Sequence, residues 1–202
     1  MFKRFFRIPF IILTLYACGS SASLRVGEPA PDFEGVDTGG NVQRLADYRG
    51  KTVVLEWTNH DCPFVRKHYN AGNMQAQQRE AAAQDVVWLS VISSAPGKQG
   101  HVSPAQADEL TRNRNAEPHA VILDTEGRIG RAYHAKTTPH MFIIDPAGKL
   151  VYMGGIDSIA TANPDDIPGA TQYVRTALQE MAAGKPVSTP VTRPYGCSVK
   201  YR

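Results

Sequence analysis

Cysteine is scarce in this chain: three in 202 residues, at Cys18, Cys62 and Cys197. So few exclude a disulfide-dense scaffold. Charge of one sign is almost missing too. The 22 Lys and Arg residues nearly balance 19 Asp and Glu, a formal surplus of +3, which is too small to predict a nucleic-acid surface. The apolar run Ile8 to Ala17 is too short to span a bilayer comfortably. No Gly-x-x-x-x-Gly-Lys-Ser/Thr phosphate loop, no Gly-x-Ser-x-Gly elbow and no internal repeat is visible. Hydrophobic content of 42% and charged content of 20% exclude wholesale disorder, and the length suits one domain.

The little surplus charge has an address. Lys3, Arg4 and Arg7 precede the apolar run, and the small residues Cys18 to Ser23 follow it. That order reads as an export signal over residues 1–23. Leu15-Tyr16-Ala17-Cys18 resembles a bacterial lipobox, which would make Cys18 a lipidation site and tether the protein to the cell envelope. Plain cleavage after Ala22 or Ser23 into the periplasm is the alternative. Removing residues 1–17 takes away three basic residues and no acidic one, leaving 19 of each sign. No electrostatic partner follows from the total.

Residues 24–184 read as one domain. Asp37 to Asn41 predicts a hairpin turn. Thr52–Thr58, Val86–Ser93, Ala120–Asp124 and Met141–Asp145 are short β-branched or apolar runs, the pattern of buried strands. Lys149–Met153 follows a Pro-Ala-Gly turn and should pair antiparallel with the strand before it. Gly154-Gly155 then suggests a bulge or turn. Helices are expected over Pro63–Tyr69, over Met74–Gln84 with Asn73 as cap, from Ser103-Pro104 to about Asn115, and over Gly169–Ala183. Residues 185–202 open with three prolines and read as an extended arm carrying Cys197. Alternating strands and helices closed by a hairpin predict an α/β sandwich with a mixed sheet.

The chemistry concentrates at Thr58-Asn59-His60-Asp61-Cys62-Pro63. A buried strand ends, a polar turn follows, and Cys62 precedes a helix that starts with proline. Unpaired N–H groups at a helix start stabilise a thiolate, and the thiolate is the nucleophile. Asp61 opposes this, and a protonated His60 would assist. A small buried hydrophobe is the bland alternative for Cys62. Further on, Thr137-Thr138-Pro139-His140 leads into a strand, where Pro139 is either an edge feature or a cis-proline.

Cys-Pro after the first core strand and Thr-Pro before a later hairpin resemble the thioredoxin superfamily. Gly27-Glu28-Pro29-Ala30-Pro31-Asp32-Phe33 and Leu45-Ala46-Asp47-Tyr48-Arg49-Gly50-Lys51 resemble its redoxin branch, the alkyl hydroperoxide reductase/thiol-specific antioxidant family. Asn59 to Val65 is similar to a peroxiredoxin-like subgroup. The likeness runs from Val26 to about Asp157. It implies a thioredoxin-like three-layer α/β/α sandwich, Cys62 at the head of the first long helix, and a cis Thr138-Pro139 bond facing it. It also implies a thiol oxidoreductase acting on a peroxide or a disulfide, with an unidentified thiol as electron donor and no cofactor. Thr138 would offer a backbone edge to an extended substrate, while Trp57, Asn59, His60 and Pro63 shape the site. Trp57 is expected under the site, with core packing as its alternative.

This chain departs from the family pattern. A Cys-x-x-Cys motif needs a second cysteine at Asn59 or Val65. A peroxiredoxin Pro-x-x-x-Thr-x-x-Cys needs proline at Leu55 and threonine at Asn59. Cys197 is therefore the candidate partner, either resolving a Cys62 intermediate or closing an inert staple, unless the two never meet. Arg128 or Arg131 is the candidate source of positive charge near the thiolate. A second reading is copper binding by His60, Cys62 and His140, with His68 nearby. A third is a degenerate redoxin acting as a binding module.

Overall fold

A computed structural model describes residues 24–202. The expected export signal and Cys18 lie outside the described residues. The chain enters through an antiparallel hairpin, β1 (Glu34–Val36) and β2 (Val42–Arg44), turned at Asp37 to Asn41 as predicted. A 3-10 turn over Leu45–Tyr48 leads to β3 (Val53–Trp57). There follow α1 (Pro63–Asn70), α2 (Asn73–Ala82), β4 (Val87–Ile92), α3 (Pro104–Asn113), β5 (Ala120–Leu123) and α4 (Arg128–Ala132). The second half holds β6 (Thr137–Thr138), β7 (His140–Ile144), β8 (Leu150–Gly154), α5 (Tyr173–Ala182) and β9 (Cys197–Ser198).

The central sheet has five strands in the order β5-β4-β3-β7-β8. β3, β4 and β5 run parallel, while β7 pairs antiparallel with both β3 and β8. The mixed sheet and the closing hairpin are as expected. β3 is buried on both faces, and its period of two sends alternate side chains into different layers. Val53, Leu55 and Trp57 pack with Phe33, Leu45, Ile129, Tyr133 and Phe142. Val54 packs on the other face with Val65, Tyr69, Met74 and Val174 from α1, α2 and α5.

Two helix starts differ from expectation. Gly72, in the left-handed conformation, caps α2, and Asn73 is already helical and buried, with its amide turned inward. α5 begins at Tyr173 because Pro164–Gly169 winds as a separate 3-10 segment, with Pro168 inside it. Ser103 caps α3 with a full capping box to Gln106, as its Ser-Pro start suggests.

The arm is ordered along its length. Pro190 to Thr192 run beside the β8 edge, with Met153 N–H donating to the Pro190 carbonyl (3.0 Å) and Thr192 N–H to that of Met153 (3.1 Å). That covers an otherwise unpaired strand edge. Beyond it β9 pairs antiparallel with β6, matching Thr138 with Cys197. The last residues are anchored as well. Ala95 N–H donates to the Lys200 carbonyl (2.9 Å), and the Tyr201 hydroxyl to that of Ala135 (2.9 Å). Arg131 stacks over the Tyr201 ring at 4.7 Å.

Candidate active site

Cys62 is the residue from which α1 starts, with Pro63 in the first helical position, where no N–H is needed. The turn before it is tied locally. Cys62 N–H donates to the Asn59 carbonyl (3.1 Å), and the Asn59 side chain accepts from Asp61 N–H (2.9 Å). These bonds aim the Cys62 side chain across the end of β3 toward β6. There the Thr138-Pro139 bond is cis, and the sulfur lies 3.0 Å from the Thr138 carbonyl. Cys62 is fully shielded, at 0% exposure.

What shields it is the arm. Cys197 sits opposite Thr138 and within hydrogen-bonding reach of the Cys62 sulfur, and both thiols are free. The electrostatics make the two sulfurs unequal. Burial pushes the Cys62 thiol up, but donors to its thiolate outweigh that: the Cys197 thiol, the Thr138 hydroxyl, and the N–H groups of Cys197 and Val65. The result is a pKa below the ordinary thiol value. The Val65 contribution comes from the first turn of α1, as a helix start should supply. The Thr138 hydroxyl is buried and has no hydrogen-bond partner. Cys197 moves the opposite way, to about 12, through burial first and then the neighbouring Cys62 sulfur. Of the two thiols Cys62 is the more acidic, so it gives up its proton first, and until then it donates to the Thr138 carbonyl.

The AhpC/TSA family matches residues 26–153, well over half of the chain. The chain belongs to the AhpC/TSA family. Among curated relatives it is 31% identical to peroxiredoxin-2 of Pongo abelii over 146 residues, covering 65% of this chain and 77% of that protein. It is 26% identical to the thiol-disulfide oxidoreductase ResA of Bacillus subtilis (strain 168) over 129 residues, covering 64% and 66%. Two solved structures share the fold more fully. An uncharacterized conserved protein from Geobacillus kaustophilus aligns with TM-score 0.75 at 23% identity, covering 88% of this chain and 93% of that one. A hypothetical protein from Sinorhizobium meliloti 1021 gives 0.72 at 22%, covering 90% and 97%. The thioredoxin domain of a thiol-disulfide oxidoreductase from Bacteroides vulgatus aligns with TM-score 0.52 at 21% identity, covering 65% of this chain and 89% of that one, so the fold is thioredoxin-like, as the sequence resemblance implied.

Within this AhpC/TSA domain several expected residues sit elsewhere. Trp57 does not lie under Cys62. It points to the opposite face of the sheet, against Tyr133 and Phe142, and donates its indole N–H to Ser93 (3.0 Å). The one-residue step from Glu56 to Trp57 changes the face. The Thr138 edge is present but already paired with the chain's own arm. Arg131 is committed to Tyr201 and to the carbonyls of Glu126 and Gly127.

The histidines of the copper reading are dispersed among other partners. His60 lies 3.4 Å from Asp61, and burial lowers its pKa, which leaves it neutral. His140 stacks on Phe142 at 4.4 Å and accepts from Lys136 N–H (3.3 Å), and burial lowers it to about 3. His68 is held in a buried network described below. Among the described residues no group of three or more His, Cys, Asp or Glu side chains is placed to hold a metal ion.

Two buried acids escaped the sequence reading. Glu56 lies within the strand run Thr52–Thr58 and accepts from Tyr69 (2.8 Å), Gln78 (3.3 Å), Trp88 (2.9 Å) and Ser90 (3.1 Å). It joins β3 to α1, α2 and β4. A charge inside an apolar strand was the available signal. Asp157 pairs with Lys67 at 3.1 Å, both fully buried, and the segment around it carries no comparable signal.

Proposed function

We propose that the chain is an exported thiol oxidoreductase in which Cys62 is the nucleophile and Cys197 the second thiol of one redox pair. The meeting of both thiols at Thr138, paired with Cys197 and accepting from Cys62 at 3.0 Å, supports this reading most directly. The family match supports the class of chemistry.

With a disulfide substrate, the Cys62 thiolate attacks one sulfur. A Cys62–substrate bond forms and the substrate's own S–S bond breaks, releasing one substrate thiolate. Cys197 then gives up its proton and attacks the Cys62 sulfur. The intramolecular disulfide forms and the second substrate thiol leaves. Two electrons have passed to the substrate, and an external dithiol returns them. With a peroxide, the Cys62 thiolate takes one oxygen as the O–O bond breaks and the remainder leaves as water or an alcohol. Cys197 then gives up its proton and attacks the Cys62 sulfur, the disulfide forms and the sulfenic oxygen leaves as water. Leu55 and Asn59 stand where the peroxiredoxin pattern has proline and threonine, which favours disulfide exchange. Export rests on the basic, apolar and small-residue order of residues 1–23, with lipidation at Cys18 tethering the chain to the envelope. No helix among the described residues is long and apolar enough to cross a membrane.

Oxidation by a small disulfide or by hydrogen peroxide, followed by peptide mapping, tests the pair. A Cys62–Cys197 disulfide that returns to thiols with a dithiol is expected. Turnover that survives Cys62→Ser would overturn the mechanism. Mass spectrometry of the mature N-terminus checks Cys18.

A further inference from the structure

Two residues before Cys197, the arm plants Tyr195 in the domain. Its ring packs on Phe64 at 5.9 Å, and its hydroxyl donates to Asp157 Oδ1. His68 Nε2 lies 3.1 Å from the same hydroxyl. The network assigns the protons. Asn73 donates to His68 Nδ1 (2.9 Å), so the imidazole proton is on Nε2 and points at the Tyr195 oxygen. Asp157 Oδ2 takes Lys67 Nζ at 3.1 Å, and Lys67 also donates to the Ile159 carbonyl (2.9 Å). Asp157 Oδ1 takes Ile159 N–H as well (3.1 Å). Lys67, His68 and Asp157 are buried, and the redox chemistry above uses none of them.

Nearly all of this cluster belongs to the domain, yet it closes only when an arm residue arrives. Tyr195 and Cys197 are two apart in extended chain, and both pack on the core cluster that contains Cys62. A slip of one residue would turn Cys197 to the outside, where Ser198 now sits. The β6–β9 ladder is only two residues long and is held downstream by Val199 N–H to the Lys136 carbonyl (3.0 Å), so Tyr195 is its hold on the upstream side. Gly196 between them, at φ +127°, brings the backbone so near the Thr138 carbonyl that a Cβ would lie 2.0 Å from that oxygen. The arm has no side chain there with which to hold itself. Beside it a groove of about 480 Å³, lined by Asp157, Arg193 and Tyr195 among others, leaves room for outward movement.

From this we infer that Tyr195 is a positioning residue: the buried Lys67–Asp157–His68 group receives its hydroxyl and thereby sets Cys197 in register over Cys62. The inference rests on the redox-pair reading for its consequence, though not for its geometry. A positioned Cys197 has a high effective concentration at Cys62, and it supplies a hydrogen bond to the Cys62 thiolate.

Tyr195→Phe keeps the ring and removes the hydroxyl. Two measurements on the mature protein test it: the pH profile of Cys62 alkylation, and the Cys62–Cys197 equilibrium against glutathione. Tyr195→Phe should raise the Cys62 pKa part of the way that Cys197→Ala does. It should also lower the equilibrium constant for disulfide formation about tenfold, a potential about 30 mV less negative. In a Cys197→Ala background, Tyr195→Phe should leave the Cys62 profile unmoved, because its effect passes through Cys197. An equal shift in that background, or no shift in either measurement in the otherwise native chain, overturns the positioning role. If the native chain forms no Cys62–Cys197 disulfide yet Tyr195→Phe still shifts the alkylation profile, positioning stands and the redox-pair reading falls.

Discussion

The domain and the arm each contribute one sulfur, and they hold it by different means. Cys62 is fixed by the end of a fully paired central strand, by a helix start and by a turn tied through Asn59. Cys197 is fixed by a two-residue ladder, one tyrosine hydroxyl and a few terminal backbone bonds. The first is a packed scaffold whose parts support one another. The second is a short list of separable contacts. The nucleophile's position therefore carries the stability of the whole domain, whereas its partner's position can be adjusted at little global expense.

The contrast can be broken most completely at Cys62. Cys62→Ser should reduce thiol-dependent turnover to background while far-UV circular dichroism and melting stay close to native, since the side chains are nearly isosteric. Cys197→Ser should slow turnover less, because the first attack survives. Cys197→Ala, which removes the side-chain donor, should raise the pH at which Cys62 becomes reactive, readable from alkylation rates.

On the domain side, Glu56→Ala leaves four buried donors without their acceptor. We expect a loss of roughly 3 kcal/mol in denaturant unfolding, with Glu56→Gln milder. Acid probes both sides together. His68 is lowered by burial to about 4 and His140 to about 3. Both are neutral in the fold and bind protons more readily when unfolded. Their contribution is fully present above about pH 6.5 and declines as the pH falls through 4 toward 3. Unfolding followed from pH 7 to pH 3 should show that decline, and His140→Gln should flatten it. Gly196→Ala should push the arm off Thr138, because a Cβ there would meet that residue's backbone carbonyl, and so expose Cys62 to bulky alkylating reagents.

Much of the domain was legible because its signals are local and periodic. The five sheet strands occupy the apolar runs to within a residue or two, and the Ser103-Pro104 and Cys62-Pro63 starts behave as their residue types dictate. The cis Thr138-Pro139 bond agrees with the resemblance. Trp57 follows its core-packing alternative, because a one-residue step along a doubly buried strand changes the face while leaving the hydrophobic pattern intact. Asn73 missed its cap because Gly72 takes the left-handed conformation there. The network around Asp157 was invisible for a different reason. Lys67, His68, Asp157 and Tyr195 come from three separate stretches of chain, and nothing in any one of them reveals the others. The occupied Thr138 edge is likewise a long-range fact, carried by an arm whose sequence shows only that it is extended.

The antiparallel match of Thr138 with Cys197 has one more consequence, in the chain's thermodynamics. A bond between Cys62 and Cys197 would close a loop around most of the domain. Such a closure lowers the entropy of the unfolded chain by an amount worth about 5 kcal/mol. Oxidation state and resistance to unfolding are then two readings of one equilibrium. The oxidised protein should outlast the reduced one under heat or protease, and whatever stabilises the oxidised fold more than the reduced one should by the same linkage make the disulfide harder to reduce.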